Sequence, residues 1–271
     1  MIYTDKAENA LPNIPDGFID LVVTSPPYDN VRSYGQKVKR LDWDFEFIAR
    51  ELSRVLKPGG VICWNVNDMV ENGSETLTSA KQKIFFREQC GLLIHDTMIY
   101  AKTNFSNPEK TRYHQLFEYV FILSKGKPAT FNPIMDKRNA AAGMIGNKGT
   151  NTVTKTDGTK EVRPKKVNRL MGMRGNVWAG LTRGQEDVCV TLEHPAMMPR
   201  WLARDLIFSF SNPGETVLDP FCGSGTTVIE AMKLGRKYCG IEMNQEYVDE
   251  CIIPAIQLME KKQQQHVLEG L

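Results

Sequence analysis

The sequence predicts an α/β protein, a mostly parallel sheet with helices on both faces, and three observations carry that reading. Ile19–Thr24 is a β-branched apolar run stopped by Pro26 and Pro27, the pattern of a buried parallel strand that hands its last residues to a loop. Phe45 to Leu56 repeats apolar residues at 45, 48, 52, 55 and 56 and meets Lys57-Pro58-Gly59-Gly60. An amphipathic helix with a Gly/Pro terminator is expected there, followed by a strand over Val61 to Val66. Near the other end, strand Thr216–Asp219, turn Pro220 to Gly225, helix Thr226 to Leu234 closed by Gly235, and strand Tyr238 to Glu242 read as a compact βαβ unit.

The remaining elements fall between these. Thr97 to Ala101 and Phe117 to Leu123 read as strands, making a βαβ-rich half that ends near Lys125-Gly126-Lys127. Pro199 suits the first position of a helix running to about Phe210, where a missing N–H costs nothing, and Ser211-Asn212-Pro213-Gly214 stops it. Asn244 is placed to cap the last helix.

With 271 residues, 41% hydrophobic and 24% charged, the chain has the composition of a globular protein with a sizeable core. No run approaches the roughly 20 apolar residues that span a bilayer. Met1–Lys6 lacks the apolar stretch of a signal peptide, so the cytoplasm is the expected location. Six cysteines without a CxxC pair and four histidines without HExxH give no sign of a zinc site, a disulfide framework or metal hydrolysis. Reduced thiols and metal-free chemistry are expected.

Overall charge is nearly balanced, 34 Lys+Arg against 32 Asp+Glu, but its distribution is not. Lys127 to Arg183 holds seven lysines and five arginines against three acids, a net +9 that leaves the rest of the chain at −7. Such an insert suits a nucleic-acid partner, and its Thr, Asn, Gly and Lys content equally describes a solvated loop. Inside it, Thr152 to Val162 reads as a hairpin turning at Asp157-Gly158, with a disordered loop as the alternative.

Two segments carry chemistry. In Asp219-Pro220-Phe221-Cys222-Gly223-Ser224-Gly225-Thr226-Thr227, glycines stand where a strand turns into a helix and backbone approaches a ligand. A P-loop would need a Lys before the Ser/Thr, and a dinucleotide GxGxxG would need a third glycine where Val228 stands. Glu242 lies 19 residues after Gly223 at the end of the next strand, where Rossmann-like sites hold the carboxylate that accepts from ribose hydroxyls. The pair points to a nucleoside-containing cofactor, with a plain tight turn as the alternative. Thr24-Ser25-Pro26-Pro27-Tyr28 also follows a strand. Its two prolines remove N–H donors and leave carbonyls free to accept. The Ser25 hydroxyl and a proline-loop carbonyl suit the two protons of an exocyclic amino group, with Tyr28 stacked on the attached ring. A polyproline turn with a packed tyrosine explains the same residues.

Both segments resemble motifs of the amino-methylating DNA methyltransferases, the cofactor loop DPFxGSGT and the tetrapeptide (D/N/S)PP(Y/F). The resemblance covers nearly the whole chain: Glu51 to Gly60 is similar to the helix and turn that follow the tetrapeptide, and His194-Pro195 with its helix to the element preceding the cofactor loop. Tetrapeptide first, then insert, then cofactor loop resembles the permuted β group. The resemblance implies a Rossmann-like, S-adenosylmethionine-dependent methyltransferase fold with a small basic insert. It divides the chain into a catalytic half (1–126), a target-recognition insert (127–190) and a cofactor-binding half (191–271).

What the resemblance implies for function follows residue by residue. Ser25, Pro26, Pro27 and Tyr28 would be catalytic. Asp219, Phe221, Gly223, Ser224, Gly225, Thr226 and Glu242 would bind S-adenosylmethionine, Asp219 and the glycine loop at the methionine end and Glu242 at the ribose. In the insert, Lys165, Lys166 and Arg169 are the expected contacts to double-stranded DNA. A cognate restriction endonuclease is a further expected partner, and the chain is expected to be a monomer or homodimer. Val23 to Tyr28 has the form typical of N4-cytosine enzymes, so N4 of a flipped-out cytosine is the favoured target. Adenine N6 is the alternative; protein-glutamine or RNA methylation is more distant because of the motif order. Ser25, Tyr28, Gly223, Gly225 and Glu242, all present, speak against a non-catalytic DNA-binding relative. Cytosine-C5 chemistry would need a nucleophilic Cys in a Pro-Cys dipeptide, which the sequence lacks, and Cys222 is expected to pack.

Overall fold

A computed structural model describes residues 1–27, 43–104, 111–139, 151–163, 170–181 and 198–268. They form two compact units, Met1–Asn132 with Asn176–Leu271, and Pro133–Gly175.

The larger unit is built on eight strands: β1 (Ile2–Thr4), β2 (Ile19–Thr24), β3 (Leu56–Val66), β4 (Leu93–Lys102), β5 (Phe117–Ser124), β6 (Val177–Gly180), β7 (Thr216–Asp219) and β8 (Lys237–Glu242). Their order is β1-β8-β7-β2-β3-β5-β4-β6. Only β5 runs antiparallel to its neighbours; the other adjacent pairs are parallel. The chain steps from β2 to β3 on one side and returns through β7 and β8 on the other. The strand order therefore reverses at β2, and in open α/β sheets such a reversal opens a crevice beyond the carboxyl ends of the strands.

Five longer helices cover the sheet: α1 (Phe45–Val55), α2 (Thr78–Glu88), α3 (Arg200–Phe210), α4 (Thr226–Lys233) and α5 (Ile253–Leu268). Ile48, Leu52 and Val55 of α1 and Phe86 of α2 join Ile19, Val22, Ile62, Trp64 and Leu218 in one core. Successive residues of a strand point to opposite faces, and Val61, Ile62, Cys63 and Trp64 are all buried, so both faces are covered. Trp64 is completely buried and donates from Nε1 to Gln82 Oε1 at 2.8 Å, which ties α2 to the central strand. Cys222, Val228, Ile229 and Met232 pack with Val248, Ile252 and Ile256 in a second cluster around α4 and α5.

Several elements differ from expectation. α1 ends at Val55, and Leu56 (φ −73°, ψ 132°) is already extended. The strand thus includes Lys57-Pro58-Gly59-Gly60: Gly59 (φ +81°) donates its N–H to Lys125 O at 2.7 Å, and its carbonyl accepts from Ala129 N at 2.9 Å. Pro199 is the N-cap of α3, one position earlier than expected. β4 and β5 are an antiparallel pair, a reversal inside the half that read as βαβ. β1 is too short to carry a period. α2 hides its signal by burying polar Ser79 and Gln82, and β6 lies in the basic stretch. Asn244 caps the short helix Gln245–Tyr247, which leads through a π-helical turn at Val248–Ile252 into α5, accepting from Glu246 N at 2.9 Å. Among the described residues, Cys63, Cys90, Cys222 and Cys239 are free thiols.

The smaller unit pairs Lys137–Arg138 with Met171–Gly172 and Asn151–Thr154 with Lys160–Arg163, both antiparallel. The second pair is the hairpin read from the sequence. Gly158 (φ +80°) donates to Lys155 O at 2.9 Å, and Asp157 Oδ1 accepts from Thr159 N at 2.9 Å. Arg174 and Asp136 form an ion pair, and the Arg174 hydrogen bond holds the Asp136 carboxyl below its ordinary value.

Candidate active site

β2 and β7 lie side by side, with Val217 opposite Leu21 and Leu218 opposite Val22. The loops leaving their carboxyl ends therefore meet although 195 residues separate them. Thr24 Oγ1 donates to Asp219 Oδ1 at 2.6 Å in a buried setting. Phe221 N donates to the same oxygen at 3.1 Å, and Thr227 Oγ1 donates to Val23 O at 3.4 Å. Burial pushes the Asp219 carboxyl up to about 6, against the lowering effect of the hydrogen bonds from Thr24 and Phe221. A carboxylate is thus held at the crevice in a setting that favours bringing a positive charge to it.

The loop after β7 is shaped by its glycines. Gly223 (φ +51°) and Gly225 (φ +88°) occupy the left-handed region, which L side chains rarely adopt. A Cβ on Gly225 would also stand 3.2 Å from Ile252 Cγ1. Gly225 is the N-cap of α4 and donates to Cys222 O at 2.8 Å. Ser224 and Thr226 are buried, Phe221 is half-buried, and its ring meets Trp43 edge-on at 5.2 Å. Trp43 in turn lines a cleft of about 740 Å³ with Glu8, Asp44, Phe45 and Phe85. Cys222 packs as expected: a Cβ on Gly240 would lie 3.1 Å from its sulfur, and burial raises its thiol well above the ordinary value.

Glu242 ends β8 and closes the loop from the other side. Its Oε2 accepts from Gly223 N at 2.8 Å and its Oε1 from Asn244 N at 2.9 Å. Burial raises its carboxyl, opposed by backbone hydrogen bonds from Asn244, Gly223 and Met243. An ionised carboxylate offers about four lone-pair positions, so these backbone bonds leave capacity for a hydroxyl donor. Two partly desolvated carboxylates flanking a glycine loop suit a ligand that carries cationic groups and a diol.

Of the tetrapeptide, Ser25 and Pro27 are half-buried and Pro26 buried, directly after β2. Tyr28, Lys165, Lys166 and Arg169 lie outside the described residues. Sequence reading missed Thr24 as the link between the two loops. No local signal could reveal it, because the hydroxyl's partner is set by strand pairing.

Residues 19–253, both loops included, match a family model of N6/N4 methyltransferases described as DNA methylase. The chain belongs to this family. It is 46% identical over 242 residues to the orphan methyltransferase M.BamHII of Bacillus amyloliquefaciens, a match covering 88% of each protein. It is 30% identical over 247 residues to the DNA adenine methyltransferase YhdJ of Escherichia coli, covering 88% of this chain and 76% of that one. Among solved structures, the PvuII DNA methyltransferase, titled cytosine-N4-specific, shares the fold of this DNA methylase. The TM-score is 0.67 at 17% identity, over 93% of this chain and 84% of that chain.

Proposed function

We propose that this DNA methylase transfers a methyl group from S-adenosylmethionine to N4 of a cytosine flipped out of double-stranded DNA. The observation that carries the reading is the buried Thr24–Asp219 hydrogen bond, which joins the acceptor-bearing Ser25-Pro26-Pro27 segment to the glycine loop. Asp219 and the Gly223 to Gly225 backbone, with Phe221, Ser224 and Thr226 around them, would hold the methionine end, and Glu242 the ribose. When bound, S-adenosylmethionine supplies an electrophilic methyl group on a sulfonium.

The chain's own part is positioning and electrostatics. An exocyclic amino group stacked inside a duplex is out of reach, so the base must leave the helix. Ser25 Oγ and the Pro26 carbonyl accept its two protons, which directs the nitrogen lone pair and stabilises the positive charge that develops on attack. Tyr28 stacks on the ring. The insert, with Lys165, Lys166 and Arg169, supplies phosphate contacts, as the middle part of the 1–126, 127–190 and 191–271 division. The reading takes the protein as cytoplasmic, which accords with a DNA substrate, and as a monomer or homodimer, with or without a cognate restriction endonuclease.

Cytosine is favoured by the Val23-Thr24-Ser25 form of the motif. Adenine N6 is the second reading, favoured by the E. coli relative's name. Digesting methylated DNA to nucleosides and weighing the products decides: N4-methylcytosine is expected. N6-methyladenine alone overturns the base and keeps the amino chemistry, and 5-methylcytosine overturns both.

A further inference from the structure

A serine hydroxyl both donates and accepts. For Ser25 to accept from an amino group, as the proposed function requires, its own proton must be placed on another acceptor. The sheet register shows which group is available. Thr24 is paired with Trp64 across β2 and β3, so Ser25 and Asn65 hold the next positions. A residue before proline is kept extended, and side chains alternate along a strand. Ser25 and Asn65 therefore share the face opposite Trp64.

Asn65 is 1% exposed, and its amide orientation is forced. Nδ2 donates to Glu118 Oε2 at 2.9 Å and to Tyr119 O at 3.2 Å, two groups that can only accept. Glu118 is itself buried, and Lys102 Nζ holds its other oxygen at 2.5 Å. Both amide protons are thus drawn toward β5, and Oδ1 is left as an acceptor without a partner among the described residues. The nearby alternatives are committed elsewhere. Asp68 accepts from Ser79 N at 2.8 Å and Ser79 Oγ at 2.5 Å, capping α2 on the other face, and Asp219 takes the Thr24 proton.

We propose that Asn65 is a positioning residue whose Oδ1, which makes no hydrogen bond with Ser25 in this structure, receives the Ser25 hydroxyl proton when the target base is bound, held in orientation by the Lys102–Glu118 pair, so that Ser25 presents a lone pair to the target amino group. The inference rests on the proposed amino-methyltransferase reading. A charge pair with a buried carboxylate and a half-buried lysine at the carboxyl edge of a catalytic sheet is costly to build, and fixing the amide that orders the nucleophile's acceptor is a use that matches its place.

Single-turnover methyl transfer to DNA, with cofactor affinity measured in parallel by calorimetry, tests it. Asn65→Ala should slow transfer roughly tenfold while cofactor Kd stays within about twofold. The substitution is repeated in Ser25→Ala and Ser25→Asp backgrounds, neither of which has a hydroxyl proton to place; the aspartate keeps an acceptor, so a measurable rate remains. There Asn65→Ala should change the rate less than about twofold. Glu118→Gln preserves volume and should show the same dependence on Ser25 with a smaller loss, which keeps the test open should Asn65→Ala fold poorly. A rate within twofold of wild type, or an equal loss in every background, overturns the proposal. Wild-type protein that methylates no DNA sinks the functional reading instead, a different outcome of the same assay.

Discussion

Thr24→Val probes the joint between the two loops with almost no change in shape. It removes the hydroxyl that donates at 2.6 Å to the buried Asp219 carboxylate. Burial has already raised Asp219 from 3.8 to about 6, a displacement worth about 3 kcal/mol against the charged form. Because the folded pKa lies above the unfolded one, this group's contribution to stability is present below about 3.8 and lost as pH rises through about 6. The Thr24 hydrogen bond opposes that loss, so its removal raises the folded pKa further. At pH 8, where Asp219 is ionised, the variant should lose roughly 1.5–3 kcal/mol, the worth of a hydrogen bond to a charged group. At pH 5, where the carboxyl is mostly protonated, the loss should shrink toward the roughly 0.5–1.5 kcal/mol of a neutral bond. Urea denaturation at both pH values measures this. Equal losses at the two pH values, or a loss under about 0.5 kcal/mol at pH 8, would refute the view that Thr24 stabilises a buried carboxylate.

If Glu242 holds the ribose as proposed, Glu242→Ala should weaken cofactor binding by on the order of 1.5–3 kcal/mol, the worth of a hydrogen bond to a charged group, and calorimetry with unchanged affinity would end that assignment. Gly225→Ala should destabilise the fold by about 1–3 kcal/mol, because φ +88° and the 3.2 Å approach of Ile252 both resist a Cβ; thermal melting equal to wild type would contradict it. Replacing Lys165, Lys166 and Arg169 together should weaken DNA binding and flatten its salt dependence by about one unit of slope per lost phosphate contact. A slope identical to wild type would return the insert to a solvated loop.

Local pattern made much of the scaffold legible. Ile19–Thr24 and Thr216–Asp219 were readable to the residue because a buried parallel strand is a continuous apolar run with sharp punctuation. α1 was readable because its buried Ile48, Leu52 and Val55 recur at helical spacing. Elements that lacked a period were not: three-residue β1, α2 with its buried Gln82 and Ser79, and β6, whose Trp178 is buried although the surrounding charge suggests a surface.

The sequence by itself determined which residues could do chemistry, since two prolines after a strand, a glycine turn and a carboxylate 19 residues beyond Gly223 each carry their reason in residue type and spacing. Only the tertiary structure decided which of them come together. Strand order and register bring Thr24 to Asp219 across 195 residues, close Glu242 onto Gly223, and turn Asn65 and Asp68 to opposite faces of the sheet. Register is a property of paired strands, and no window of one strand contains it.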